Sequence, residues 1–215
     1  MFNRRPPEHK VVSRTNPPRR ASNADELHIN TQFGTQWDGL RHFGIFSEKC
    51  FYQGVPASEI PQGVSNISDP TNVDKQAIKL GIHSICGRGV LVDLVKLYTE
   101  DGTKPLPYDP WKTHPIPVSD IKAAADKQGV VFRPANILLL RVGFMQKFNS
   151  QSPEERNELA EKPETFAGIE QSLETKEFLW NNHFAAIASD QPSMEAWPPE
   201  GVHLHQTILG NQLLV

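Results

Sequence analysis

Short apolar segments alternate with amphipathic segments along this chain, and that alternation limits its fold more than any other feature of the sequence. Residues 137–142 are apolar except for Arg141, which is typical of a strand buried on both faces. Residues 90–95 and 184–188 predict two further buried strands, and residues 27–33 alternate as a half-buried strand does. These patterns predict a sheet with a substantial apolar surface.

Helices are predicted between and after these strands. Ser119 can cap a helix that Gly129 ends, because glycine tolerates the left-handed backbone that follows a helix. Further helices are predicted over residues 153–161, 169–180 and 204–209. The helix at 169–180 is predicted from side chains three and four positions apart, namely Ile169, Leu173, Lys176 and Trp180. The order of the elements indicates an α/β fold, a single domain in which a mixed sheet is packed by helices.

Length and composition narrow the class of protein. The 215 residues, 38% of them hydrophobic, suit one domain with a real core. Residues 1–25 are basic and rich in proline, so we expect an N-terminal arm there, followed by a domain over residues 26–215.

The net charge of −3 gives no reason to expect nucleic acid as a partner, and no apolar run of roughly 18 residues predicts a membrane span. We expect a cytoplasmic protein, because the N-terminus lacks the apolar core of a secretory signal.

A carboxylate and an imidazole stand close together near the start of the predicted domain. Asp38 and His42 are four residues apart, after a turn that Gly34 permits and that the Thr35 hydroxyl can tie. An aspartate beside a histidine can hold a divalent metal or orient the imidazole as a general base. The spacing alone leaves two interpretations open, a functional pair and a structural contact.

The segment around this pair resembles the metal motif of the cyclase and kynurenine formamidase (arylformamidase) family of metal-dependent hydrolases, which reads His-x-Gly-Thr-His-x-Asp-x-x-x-His. Here residues 32–38 read Gln-Phe-Gly-Thr-Gln-Trp-Asp, and His42 follows. Residues 87–93, 136–144 and 185–195 are similar to strands of that family. Residues 204–210 resemble its final histidine element, and the Gln-Trp-Asp form looks most like a fungal-type branch.

The resemblance implies the family's swivelling β/β/α fold and assigns roles by position. Asp38 corresponds to the metal-bridging carboxylate, His42 to the acid/base group and His205 to a metal ligand, with His203 as the alternative for that last role. The implied cofactor is a divalent ion, zinc or manganese. The family's usual assembly implies a homodimer or a higher homo-oligomer.

The sequence also departs from the family pattern. Gln32 and Gln36 occupy the positions of two histidine ligands, where an amide oxygen weakens a zinc site and favours a harder ion such as manganese. The family's metal-binding glutamate after the last histidine has no counterpart before Val215, so a C-terminally truncated chain is one expectation.

The function that the resemblance implies is hydrolysis of an amide or ester bond in a small cyclic or N-formyl aromatic substrate. Breakdown of tryptophan to kynurenine and secondary metabolism are the expected contexts. Trp37 and Arg88 are predicted to contact the substrate, although a structural ion pair also accounts for Arg88. Aromatic residues near the motif suit either a substrate pocket or the core. The alternative function is that of an impaired or truncated relative that only binds a small molecule.

Overall fold

The computed structural model describes residues 2, 4–13, 22–60, 62–64, 86–201 and 203–210. The chain divides into two compact units. The first unit comprises Met1–Trp37 and Gln151–Pro163, and the second comprises Asp38–Ser150 and Glu164–Val215. The predicted boundary between residues 25 and 26 stays a prediction.

The described strands are, in chain order, β1 (Glu8–Ser13), β2 (Asn23–His28), β3 (Cys50–Phe51), β4 (Val55–Pro56), β5 (Gly89–Asp93), β6 (His114–Ile116), β7 (Ile137–Arg141), β8 (Ala167–Ile169) and β9 (Ala186–Ser189). The described α-helices are α1 (Leu94–Tyr98), α2 (Val118–Gln128), α3 (Phe144–Ser150), α4 (Pro153–Glu158), α5 (Leu173–Asn181) and α6 (Leu204–Gly210). Short 3₁₀ turns cover Thr31–Phe33, Tyr52–Gly54 and Ala57–Glu59.

The first unit contains an antiparallel pair of strands and one short helix. β1 pairs with β2, with Glu8 opposite His28. The strand predicted at residues 27–33 is therefore placed too late in the sequence. The observed strand β2 ends at His28, because the Asn30 side chain accepts a hydrogen bond from the N–H of Gln32 and begins a 3₁₀ turn. Helix α4 begins at Pro153 as predicted, but it ends at Glu158 rather than at residue 161.

A parallel sheet organises the second unit. Its strands lie in the order β5-β7-β9, and Val90 is opposite Leu138. The side chains on one face, such as Leu138, are buried, whereas Leu139 on the other face is 36% exposed. The prediction that residues 137–142 are buried on both faces is therefore wrong for the second face, which the described residues leave open.

Helix α2 packs on the buried face of this sheet. Ile121 and Ala125 are buried one helical turn apart, as an amphipathic helix requires, and Gly129 ends the helix with a left-handed backbone at φ 67°. Ser119 does not cap this helix, because the helix already begins at Val118 and Pro117 occupies the capping position.

A smaller parallel pair, β6 with β8, leads into helix α5. Ile169 lies in β8 and is buried in the core, so it does not belong to the helix predicted at 169–180. Ser172 caps α5 by accepting a hydrogen bond from the N–H of Thr175. Because the helix starts later than predicted, the face that it buries is also not the predicted one. Leu173 and Trp180 are exposed, and the buried side chains of the helix are Thr175, Phe178 and Leu179.

The α/β class of the fold, with sheets packed against helices, is confirmed by these elements. Parallel and antiparallel strand pairs occur in separate sheets within the described residues. Along the described part of the chain, every helix is too short or too polar to cross a membrane.

Candidate active site

Asp38 lies between two histidines of the second unit. Its Oδ1 is 3.5 Å from Nε2 of His42, and its Oδ2 is 3.6 Å from Nε2 of His205. The first contact is local, because the N–H of His42 donates to the carbonyl of Gly39 at 2.8 Å and folds the chain back over Asp38. The buried side chain of Leu40 anchors this turn. Two residues that the sequence pairs are therefore brought together, with a third from a distant segment.

Helix α6 positions His205. Leu204 and Leu209 are buried in the core, which fixes the helix and leaves His205 partly buried beside Asp38. The oxygen Oε1 of Gln206 accepts a hydrogen bond from the N–H of Phe46 at 3.0 Å, so the helix is tied to the loop after His42.

A buried glutamate stands on the other side of His205. Glu195 is 0% exposed, and its Oε1 is 3.0 Å from Nδ1 of His205. The same oxygen is 3.6 Å from Nδ1 of His203. His42, Asp38, His205 and Glu195 thus form a chain of alternating imidazole and carboxylate groups, which we call the His–carboxylate chain. Glu195 was not among the predicted site residues.

The charges around His205 favour its protonated form. Burial disfavours a charge on the ring, but the interactions with Asp38 and Glu195 outweigh burial and raise the pKa of His205 to about 9. At neutral pH the ring is therefore an imidazolium between two carboxylates.

This pKa has a measurable consequence for stability. A raised pKa in the folded protein means that the protonated ring stabilises the fold. That contribution, on the order of 3 kcal/mol, is fully present below about pH 6.5 and is lost as the pH rises through the folded value of about 9. We expect the free energy of unfolding, measured in EDTA from pH 6 to 10, to fall more for the wild type than for His205→Gln. Equal slopes would contradict this prediction.

Aromatic rings border the His–carboxylate chain. The ring centroid of Phe43 is 5.3 Å from that of His205 and 6.3 Å from that of His42. Phe46 stacks on Phe43 at 5.1 Å and is 60% exposed. Phe43 itself packs against the core. One ring therefore belongs to the core and the next offers an apolar surface to a ligand beside the histidines.

Three predicted site residues lie in the first unit. Gln32 is in the 3₁₀ turn Thr31–Phe33, and its carbonyl accepts a hydrogen bond from Nη1 of Arg4 at 2.7 Å. Gln36 is half-buried, and Trp37 is 60% exposed. Their roles as metal ligands and substrate contact stay predictions.

Arg88 lies in the second unit but makes structural hydrogen bonds there. Its Nη1 donates to the carbonyl of Val131 at 3.2 Å and to Oδ1 of Asn136 at 3.1 Å. These contacts link the start of β5 to the loop before β7. A substrate-binding role for Arg88 stays a prediction.

The described donors fall short of a metal site on their own. Among the residues for which the structure gives a placement, no group of three or more His, Cys, Asp or Glu side chains could hold a metal ion. Zinc sites use three or four protein ligands. Asp38 and His205 alone do not fit a zinc or manganese ion, and the predicted cofactor stays a prediction. Residues 211–215, where the sequence departs from the family pattern, lie outside the described ranges.

A groove elsewhere in this unit carries no comparable chemistry. It has a volume of about 770 Å³ and lies over the open sheet face beside Leu91 and Leu139. Its charged residues already have partners. Nη1 of Arg141 donates to Asp93 at 2.7 Å, and Oδ1 of Asp190 accepts from the N–H of Val142 at 2.6 Å.

Comparison with known proteins identifies relatives of the chain. A family model described as "Putative cyclase" matches residues 4–196, which include Asp38, His42 and Glu195. A crystal structure described as that of a novel cyclase is similar, with a TM-score of 0.65 and 23% sequence identity over 97% of this chain. The chain spans only 65% of that protein's length. The search of curated proteins returned no match.

Proposed function

The chain belongs to the cyclase family, and we propose that it hydrolyses an amide or ester bond in a small cyclic or N-formyl aromatic substrate. The observation that carries this proposal is the position of Asp38 between His42 and His205. The exposed ring of Phe46 next to these groups favours an aromatic or cyclic substrate. The arylformamidase-type reaction, removal of an N-formyl group from an aromatic amine, is one member of this class.

His42 is the group that moves the proton. Its Nε2 faces Asp38, so Nδ1 is the nitrogen that takes a proton from an attacking water molecule. The water oxygen then bonds to the substrate carbonyl carbon, and the carbonyl oxygen takes up the negative charge. The protonated His42 next gives its proton to the leaving nitrogen or oxygen as the bond to carbon breaks. The products are a carboxylic acid and an amine or alcohol.

Asp38 and His205 support this step by charge and position. The Asp38 carboxylate stabilises the imidazolium that forms on His42, as a carboxylate does in other acid/base pairs. His205 is held by its own helix and contacts the second oxygen of Asp38, which fixes the plane of the carboxylate. The 3.5 Å and 3.6 Å contacts are longer than hydrogen bonds, and we expect them to shorten when a substrate excludes water.

No proposed step depends on the zinc or manganese ion that the family resemblance implies. A bound ion would polarise the carbonyl and lower the pKa of water. Metal analysis of the purified protein, together with activity measured in EDTA and in added Mn²⁺ or Zn²⁺, tests its role separately.

A substrate panel tests the proposed function. The purified protein is mixed with an N-formyl arylamine, an aromatic lactone and a cyclic imide, each with and without added metal. We expect hydrolysis of at least one compound above the uncatalysed rate, and an equal rate for His183→Asn. His183 is an exposed histidine with φ 49°, a backbone conformation that asparagine tolerates. Binding of a panel compound without turnover under any condition would contradict hydrolysis and favour a ligand-binding role.

A further inference from the structure

Glu195 is a fully buried acidic side chain of the second unit. Its side chain is 0% exposed, and Oε2 has no hydrogen-bond partner among the residues that the structure describes. Removing a carboxylate from water is costly unless its interactions compensate for the loss. A leucine of similar size would avoid that cost. The contacts of the other oxygen, Oε1, therefore indicate the role of this residue.

The backbone holds the carboxylate in one place. The N–H of Ile169 donates to the carbonyl of Met194, and the N–H of Ala196 donates to the carbonyl of Ile169, both at 3.0 Å. Gly168 allows this close approach, because a Cβ at that position would lie 2.4 Å from the carbonyl carbon of Glu195. Glu195 is thus fixed against strand β8, which gives its side chain a rigid base.

His205 is the ring that this carboxylate holds. Oε1 lies within hydrogen-bond distance of Nδ1 of His205, at 3.0 Å. A carboxylate oxygen accepts hydrogen bonds, so the donor of this pair is Nδ1–H. The contact with Nδ1 of His203 is longer, at 3.6 Å, and within the described ranges that nitrogen has no hydrogen-bond partner. The two nitrogens of an imidazole lie on different edges of the ring. Holding Nδ1 at Glu195 therefore aims Nε2 of His205 at Asp38.

We propose that Glu195 is a positioning residue, which fixes the ring of His205 and, through that ring, the orientation of Asp38 toward His42. The catalytic consequence rests on the proposed function, whereas the effect on the His205 ring does not. Because Glu195 is fully buried, it acts through the ring of His205. It forms the buried end of the His–carboxylate chain.

The test combines a spectrum with kinetics. In proton NMR, the hydrogen-bonded Nδ1–H of His205 gives a downfield resonance, which is assigned by its loss in His205→Gln. Glu195→Leu removes the acceptor at nearly constant volume. We expect this variant to lose the resonance and to lower kcat about tenfold to a hundredfold, the range known for carboxylates that orient histidines at metal sites, while KM changes less than about twofold.

Two further variants separate positioning from general stability. Glu195→Gln keeps an acceptor oxygen at the same distance, so we expect it to retain the resonance and most of kcat. Glu195→Asp keeps the charge but withdraws the oxygen, so we expect it to behave like the leucine variant, and it replaces that variant if leucine prevents folding. Glu174→Gln, an exposed glutamate on α5, is the control and should change neither readout.

The outcomes distinguish this inference from the proposed function. A resonance that persists in Glu195→Leu or Glu195→Asp would overturn the positioning role, even if the wild type hydrolyses the panel. A kcat that stays at the wild-type level in a variant that has lost the resonance would also overturn it. Loss of the resonance in a protein that hydrolyses no compound would support the hold on His205 and count only against the proposed function.

Discussion

Replacing His42 by alanine is expected to lower kcat for the best substrate of the panel by about 10²- to 10⁴-fold, the usual contribution of a positioned acid/base group. The physical reason is that His42 is a partly exposed imidazole beside Asp38, with its Nε2 3.5 Å from Oδ1 and its side chain 34% exposed. His205, the second histidine on Asp38, is mostly buried, and its raised pKa keeps it protonated at neutral pH. Steady-state kinetics at pH 7 measures the effect, and KM should change little.

A control variant and a contradicting result can be stated for His42→Ala. His183→Asn removes an imidazole outside the His–carboxylate chain and should keep the wild-type kcat. The ring of His42 is one-third exposed, so its loss should cost little stability, and the variant should unfold at nearly the wild-type temperature. A folded His42→Ala protein with unchanged kcat would remove His42 from the mechanism.

Replacing Asp38 by asparagine is expected to have the second large effect, a fall in kcat of at least about a hundredfold. The amide no longer stabilises the imidazolium of His42. It also removes one of the two anionic partners of His205, so the pKa of His205 should fall below its value of about 9. Kinetics measures the first change, and an NMR titration of the ring in EDTA measures the second.

The two readouts of Asp38→Asn answer different questions. An unchanged titration of His205 would show that Asp38 does not act on that ring. A changed titration with full activity would show that the contact is structural. Glu174→Gln removes a carboxylate of the same charge from an exposed helix and should leave both the titration and kcat unchanged.

The fold could be predicted from the sequence where the relevant interactions are local. Gly129 ends α2 as its position indicates, because the left-handed backbone there depends on one residue. The burial of each face of β7 could not be predicted, since it depends on which elements pack against the sheet. Leu138 and Leu139 are equally apolar in the sequence, yet only the first is buried. The start of α5 was placed too early because Ile169 continues the apolar pattern from a strand.

In the candidate site, too, the local contact could be predicted from the sequence and the tertiary contacts could not. The Asp38 and His42 contact could be predicted because four residues and one turn separate the two side chains. His205 was found through the family resemblance, since nothing in its local sequence points to Asp38. Glu195 was missed because its contact depends on a close approach to β8. The only available signal was an acidic residue flanked by Met194 and Ala196 in a block similar to the family.

Kinetics of a double-mutant cycle tests the central claim most directly. The claim is that Asp38 and His42 act as one proton-transfer unit. The values of kcat/KM are compared for the wild type, His42→Ala, Asp38→Asn and the double variant, on the same substrate and under the metal condition in which the wild type is active. Because removing either member of such a unit disables the other, the double variant should be no slower than the slower single variant. Losses that multiply in the double variant, or wild-type activity in either single variant, would contradict it.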